Sequence, residues 1–399
     1  MDILYVSNVC SEKEYALLFE NSKKFVSQQS QKFNRLMAEG FAHNNCNVDV
    51  VSGRPVSKLQ KQKIFKFKSE NVNNVNYNYL GFLNFKFVRK YILMLKAKKF
   101  AKKWCKEHPN GIMICDALNL TMATSVSKIF KKHNMKIFAC VTDLPEDLMN
   151  NKSKISSYLF TNNFRKVTKR CSGYIVLSKY MMESENLNDL PYVVVEGMVD
   201  SNIKNEHTKK HSKKNKVVMY AGLLYKKYGV STLLNGFIKS GIKDYELHFY
   251  GVGNTFDSED DSLKDIIEAS KTHKNIKYCG SVSNKECVDK EIESMLLVNP
   301  RPTNERFVRN SFPSKNMEYM ASGTPILTTN LPSMPDEYHK YCFIVNDETD
   351  VGFSTSLKKI LKQDSKGLSE KGKLAKDFVL KEKNNISQTK KIIDFISKI

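Results

Sequence analysis

The chain has 399 residues, 41 % of them hydrophobic, with nine cysteines and a formal net charge of +22. That length and apolar content suit about two ordinary domains with real cores, and they exclude a disordered or fibrous chain. The charge calls for an anionic partner, whether nucleic acid, anionic lipid or a phosphorylated small molecule, and composition does not choose among the three.

The opening MDILYVSNVCSEKE lacks the basic start and long apolar run of a signal peptide. No window approaches about 18 uninterrupted apolar residues, so no spanning helix is expected. The expected location is cytoplasmic, peripheral on the inner face of the cell membrane if the chain adheres to one. None of the cysteines, at 10, 46, 105, 115, 140, 171, 279, 287 and 342, falls in a CxxC pair. A zinc site is therefore not expected, and the cysteines read as small buried hydrophobes in a reducing compartment.

In chain order, the first predicted strand covers 2–9, followed by a helix over 31–43 and a strand over 48–52. Apolar runs at 112–115, 136–141, 173–177 and 192–195 follow, with helical segments between most of them. This alternation predicts a mostly parallel sheet for a first domain, 1–200. Residues 201–216 read as a linker, since 204–216 hold six lysines and one glutamate. A second series then starts, 217–379. Its strands are predicted at 216–222, 245–251, 276–280, 295–300 and 325–329, with helices near 230–240, 262–272, 284–293 and 314–322. The fold class is α/β, two Rossmann-like doubly wound domains facing across a cleft, because open parallel sheets bind ligands at their strand C-terminal ends. The C-terminal helix, 380–399, has apolar residues at 386, 392, 393, 395, 396 and 399 and is expected to pack back on the first domain.

Two segments carry chemistry. In 299–337 the pattern runs strand, long loop, helix, Gly-Thr-Pro turn, strand. Ser314 is placed as a helix N-cap. The N–H groups after it, the helix dipole and Lys315 suit a phosphate, and Arg301 at the preceding strand end offers a bidentate fork to the same anion. Glu318, one turn into the helix, suits the vicinal hydroxyls of a ribose. In the first domain, Asp143 follows a strand and either orients an acceptor hydroxyl and takes its proton, or caps the next turn or helix. Asp116 is a weaker candidate of the same type. The stretch 28–35 is placed beside the acceptor. The second segment, 82–106, has nine Lys or Arg and no acid between 86 and 106, interleaved with Phe87, Val88, Tyr91, Ile92, Leu95, Phe100 and Trp104. It predicts a basic amphipathic helix suited to an anionic membrane surface, with the alternative of a domain helix whose apolar side is in the core.

The segment SFPSKNMEYMASGTPIL resembles the C-domain signature of the family 4 glycosyltransferases, especially bacterial capsular and exopolysaccharide enzymes. The likeness extends over ILYVSN, VTDLP (141–145), VVVEGMVD (193–200), YAGLLYKKYG (220–229) and the C-terminal helix. The resemblance implies the GT-B fold and retention of anomeric configuration. It also implies a nucleotide-sugar donor, UDP- or GDP-linked, and no metal or other cofactor. The expected partners are a lipid-linked or polysaccharide acceptor and, through the basic stretch 86–106, an anionic membrane surface, with no nucleic acid. Glu318 matches the second glutamate of the family's E-x7-E motif, on the donor ribose. The first falls at Asn310, and Glu305 is a substitute for it. In the first C-domain loop the usual Arg position is Leu223, and Lys226 and Lys227 precede the usual lysine position. They would share the diphosphate with Arg301 and Lys315, whose charge stabilises the leaving nucleotide. Two other readings fit less well. A GT-B nucleotide-sugar epimerase gives no reason for the basic helix, and a nucleic-acid-binding protein has no helix-turn-helix, RNP or zinc signature here.

Overall fold

The computed structural model describes the chain except residues 22–27, 58–59, 150–151, 204–213 and 254–259, so most of the lysine-rich linker lies outside the described residues. The chain divides into two compact units: Met1–Met198 with Asn384–Ile399, and Val199–Lys383.

The first unit holds strands β1 (Asp2–Val6), β2 (Asn47–Ser52), β3 (Ile64–Phe65), β4 (Lys68–Val72), β5 (Val75–Tyr79), β6 (Phe82–Leu83), β7 (Ile112–Asp116), β8 (Ile137–Val141), β9 (Gly173–Val176) and β10 (Tyr192–Val194). Its helices are α1 (Glu12–Glu20), α2 (Gln28–His43), α3 (Lys86–Glu107), α4 (Leu120–Lys132), α5 (Pro145–Leu148) and α6 (Lys154–Thr168). Eight strands form one sheet in the order β10-β9-β8-β7-β1-β2-β5-β4. All neighbours are parallel except the β4–β5 pair. The order reverses between β1 and β7, which makes it a doubly wound sheet. Central strands such as Ile3–Val6 and Ile137–Val141 are wholly buried, as expected where helices cover both faces of a parallel sheet.

The sequence reading carried no strands between 52 and 112, yet β3 to β6 lie there. Asn73 and Asn74, at φ +52° and +60°, form the two-residue turn joining β4 to β5. After it Val75, Tyr77 and Tyr79 point inward while Asn76 and Asn78 do not. In α3 the apolar side is divided. Leu93, Ala97, Ala101 and Trp104 are buried, and the Trp104 indole N–H donates to Asp49 Oδ2 at 2.9 Å. Phe100 is half-buried, whereas Val88, Tyr91 and Leu95 are exposed; the side chains of Lys86 and Phe87 lie outside the described residues. α3 is thus an integral helix of the unit with a residual outward apolar stretch.

The C-terminal helix Asn385–Ile396 packs on α2. Its buried face mixes Ile392 and Ile396 with Asn385, Gln388 and Thr389, while Ile399 is exposed. The Asn44 amide nitrogen donates to Ile386 O at 2.9 Å and Thr389 Oγ1 at 3.0 Å. Gly40 lets the helices approach so closely that a Cβ there would lie 2.7 Å from Thr389 Oγ1. Gly40→Leu should therefore lower stability by roughly 1–3 kcal/mol or more, seen as a lower thermal midpoint. An unchanged melt would show that this helix pair is not the constraint described.

The second unit holds β11 (Asn215–Leu223), β12 (Glu246–Val252), β13 (Ile276–Gly280), β14 (Ser294–Asn299), β15 (Ile326–Thr329) and β16 (Phe343–Val345). Its helices are α7 (Val230–Ser240), α8 (Ser262–Thr272), α9 (Asn284–Glu293), α10 (Arg306–Asn310), α11 (Ser314–Ser322), α12 (Asp350–Leu361) and α13 (Ser365–Glu382). The sheet order is β13-β12-β11-β14-β15-β16, parallel throughout. This is the 3-2-1-4-5-6 Rossmann order, with its switch point between β11 and β14.

Candidate active site

At the switch point the carboxyl ends of β11 and β14 adjoin the start of α11. Buried polar groups fix that helix. The Asn299 amide donates to Asn316 Oδ1 at 2.7 Å, and the Asn316 amide donates to Thr328 Oγ1 at 3.2 Å. The Tyr319 hydroxyl accepts from Ala221 N at 2.9 Å and lies 3.2 Å from Ala221 O. Lys315, on the first turn, donates from Nζ to Ala221 O and lies 5.6 Å from the centre of the Tyr220 ring. Gly222, at φ +152°, leaves room for it; a Cβ there would strike the lysine's end. Burial lowers the Lys315 pKa, opposed by Glu318 and Glu291.

Arg301 follows β14 and Pro300. Its guanidinium carbon lies 5.4 Å from the Tyr228 ring centre and 5.3 Å from that of Phe307. Those two rings meet edge-on at 6.1 Å. Gly229, at φ +77°, brings the Tyr228 turn directly onto the Pro300 carbonyl, where no Cβ fits. The Arg301 Nε is buried and has no hydrogen-bond partner, and no carboxylate among the described residues pairs with the guanidinium. Burial lowers its pKa, but an arginine so placed stays charged.

The other expected residues divide. Lys227 is exposed and lies 5.4 Å from the Tyr228 ring centre, on the ring that also touches Arg301. The Lys226 backbone N–H instead donates to Asp260 Oδ2 at 2.8 Å, and its charge acts on that carboxylate. Glu318 is half-buried and shares the Lys315 face of α11 at i, i+3. Glu305 and Asn310 sit at the two ends of α10, a helix within the stretch expected to be loop. Phe307 ties α10 to Arg301. Ser314 is not the N-cap. Pro313 takes that position, so Ser314 is the exposed first helical residue and its hydroxyl makes no cap bond. What α11 offers an anion is therefore Lys315 and the backbone N–H groups of its first turn. The aromatic holders Tyr220, Tyr228, Phe307 and Tyr319 were not singled out from sequence; the glycines of YAGLLYKKYG were their only advance signal.

In the first unit, Asp143 follows β8 and is half-buried. Leu144 takes the cap position of α5, so Asp143 does not cap that helix. Burial raises its pKa, opposed by the Thr142 side chain. Asp116 ends β7, accepts from Leu118 N at 2.9 Å, and is raised to about 6, mainly by burial and partly by Asp143. The two carboxylates thus act on each other at adjacent strand ends. The stretch 28–35 has fold partners: Gln31 Nε2 donates to Asn8 O at 3.1 Å, and Asn34 Oδ1 accepts from the Tyr5 hydroxyl at 2.6 Å. The side chains of Gln28 and Gln29 lie outside the described residues.

No cluster of metal-ligating side chains occurs among the described residues, and no described helix is long and apolar enough to cross a membrane. A groove of about 600 Å³ lies at the opposite end of the second sheet, where Lys216, Lys243 and Lys274 mix with Asp244 and Glu246.

Residues 202–393 match the family described as glycosyl transferases group 1. The match covers just under half of the chain. No curated protein sequence matches the chain. Among solved structures, sucrose-phosphate synthase from Thermosynechococcus elongatus matches with a TM-score of 0.64 at 12 % identity, over 100 % of this chain and 98 % of that one. A glycosyltransferase from Rickettsia africae gives the same values. HepE from Anabaena, in complex with UDP and glucose, matches at 0.61 and 12 %, over 100 % of both chains. The fold is GT-B, with the matched segment lying mostly in the second Rossmann unit and Asn384–Ile399 returning to the first.

The raised carboxylate of Asp116 has a defined consequence. Its folded-state pKa, about 6, exceeds the ordinary 3.8, so the folded chain binds this proton more tightly than the unfolded one. Its ionisation removes stability as pH rises from about 4 to about 6. In Asp116→Asn the slope of stability against pH over that window should become more positive than in the parent, measured by denaturant unfolding. An identical slope would contradict the assignment.

Proposed function

We propose that the protein is a retaining, metal-independent hexosyltransferase. It would move a sugar from a UDP- or GDP-sugar to a lipid-linked or polysaccharide acceptor in cell-surface polysaccharide biosynthesis, of capsule or exopolysaccharide type. The observation that carries the reading is Arg301, a partly buried cation with no carboxylate partner among the described residues, beside Lys315 at the switch point of the second unit. A donor diphosphate supplies the missing anion, and Lys315 exchanges the Ala221 carbonyl for a phosphate oxygen. Glu318 accepts from the ribose hydroxyls, and Asn310 or Glu305 meets the sugar. The HepE structures hold UDP, with glucose or as UDP-glucose, which supports a donor of that kind.

In the proposed reaction the bond from the anomeric carbon to the diphosphate breaks, and one to the acceptor oxygen forms on the same face. The transition state is oxocarbenium-like, so charge building on the leaving diphosphate is the main obstacle. Arg301, Lys315 and Lys227 stabilise that charge where it develops. Asp143 takes the acceptor proton, and its raised pKa makes it a stronger base than an exposed aspartate. The reading calls for no cofactor beyond the donor. An acceptor held in the membrane suits the lysine-bearing outer face of α3, which would keep the protein peripheral on an anionic inner leaflet.

A thermal-shift panel of UDP-, GDP- and ADP-sugars tests the donor. One nucleotide class should raise the melting temperature of the parent and not of Glu318→Ala. A flat response to every donor would overturn the reading.

A further inference from the structure

The outward face of α3 changes character halfway along. Val88, Tyr91 and Leu95, at i, i+3 and i+7, are 45, 62 and 45 % exposed. The following turns present Lys98, Lys99, Lys102 and Lys106 to solvent. Because Leu93, Ala97, Ala101 and Trp104 occupy the core side, the helix cannot turn its apolar half inward. The apolar surface continues onto the β3–β6 ribbon. Ile64 lies opposite Leu83 in register and both are exposed, as are Phe67 and Phe85. Lys96 Nζ donates to Gly81 O at 2.7 Å, and Gly81 lies against the Phe65–Phe67 backbone, where a Cβ would come within 2.7 Å of Phe67 N. Helix and ribbon therefore form one surface. A single exposed Leu is ordinary; a continuous patch of large apolar side chains marks a contact.

Charge selects the occupant. Residues 61–106 hold 13 Lys or Arg and one acid, Glu70. That carboxylate accepts from the Ser11 and Tyr79 hydroxyls at 2.6 Å each and so points into the unit. Two copies of a +22 chain meeting on this face would bring like charges together. An anionic bilayer accepts the apolar side chains and meets the lysines with its headgroups.

We propose that the β3–β6 ribbon and the first half of α3 insert as an apolar wedge into an anionic lipid bilayer, with the lysines of the second half of α3 on the headgroups. This rests on the membrane-surface reading above and adds which residues enter the lipid.

The single tryptophan, Trp104, is buried, so Phe67→Trp adds one surface reporter. The probes are vesicles of phosphatidylcholine, alone or with about one third phosphatidylglycerol. With the anionic vesicles the new tryptophan should shift to shorter wavelength and be quenched by acyl-chain-brominated lipid. Ile64→Ser/Tyr91→Ser/Leu95→Ser, with unchanged melting and donor binding, should bind these vesicles about tenfold or more weakly. If position 67 stays in water and the triple variant binds like the parent, while Lys99→Gln/Lys102→Gln binds weakly, insertion is wrong and surface docking survives. If no vesicle binds, both fail. A dimer of the parent that the triple variant abolishes would assign the face to a second copy and overturn the proposal.

Discussion

A guanidinium held between two aromatic rings, with no carboxylate among the described residues to answer it, is the constraint on which the site depends. Removing a cation from water without a partner costs several kcal/mol, and a fold keeps such a group where a ligand supplies the opposite charge. Arg301 is fixed by Tyr228 and Phe307, and Gly229 lets the Tyr228 turn reach Pro300. Lys315 is held by a carbonyl, a poor substitute for an anion, at the end of the neighbouring strand. The bonds of Asn316 and Tyr319 to three strands keep α11 from moving away from these cations. Pre-set charge of this kind acts without reorganisation when negative charge develops.

Much of this was legible in the sequence. Strands buried on both faces appear as unbroken apolar runs, which is why β11 to β15 and the helices between them, α10 excepted, fall within a residue or two of expectation; β16 and α12 carried no such expectation. The SFPSK segment showed Lys315 and Glu318 because a helix start after a strand has a fixed frame. The rest depended on tertiary contact. Whether Lys226 or Lys227 faces Arg301 is decided by Asp260, 34 residues away and outside the motif. Ser314 reads as a cap by residue type, but the backbone turns into helix one residue earlier, at Pro313. The β4–β5 turn uses Asn-Asn where Asn-Gly would have been conspicuous, and its short strands carry polar outward positions.

The basic stretch shows why composition alone misassigns a surface. Its tryptophan and small residues serve the core, most of its lysines lie in the far half of the helix, and its outward apolar side chains join a ribbon that the sequence did not announce. Under the proposed function the high net charge serves two ends. A few cations stand at the switch point for a diphosphate, and many on the first unit face lipid.

The central claim is that the switch-point cations bind the diphosphate of the donor. The most direct measurement is a calorimetric affinity series of nucleoside, monophosphate and diphosphate of one base, repeated on Arg301→Gln. The diphosphate should bind the parent most tightly, and most of its advantage, about tenfold or more, should vanish in the variant. Equal affinities across the series, or a diphosphate advantage untouched by the substitution, would contradict the account.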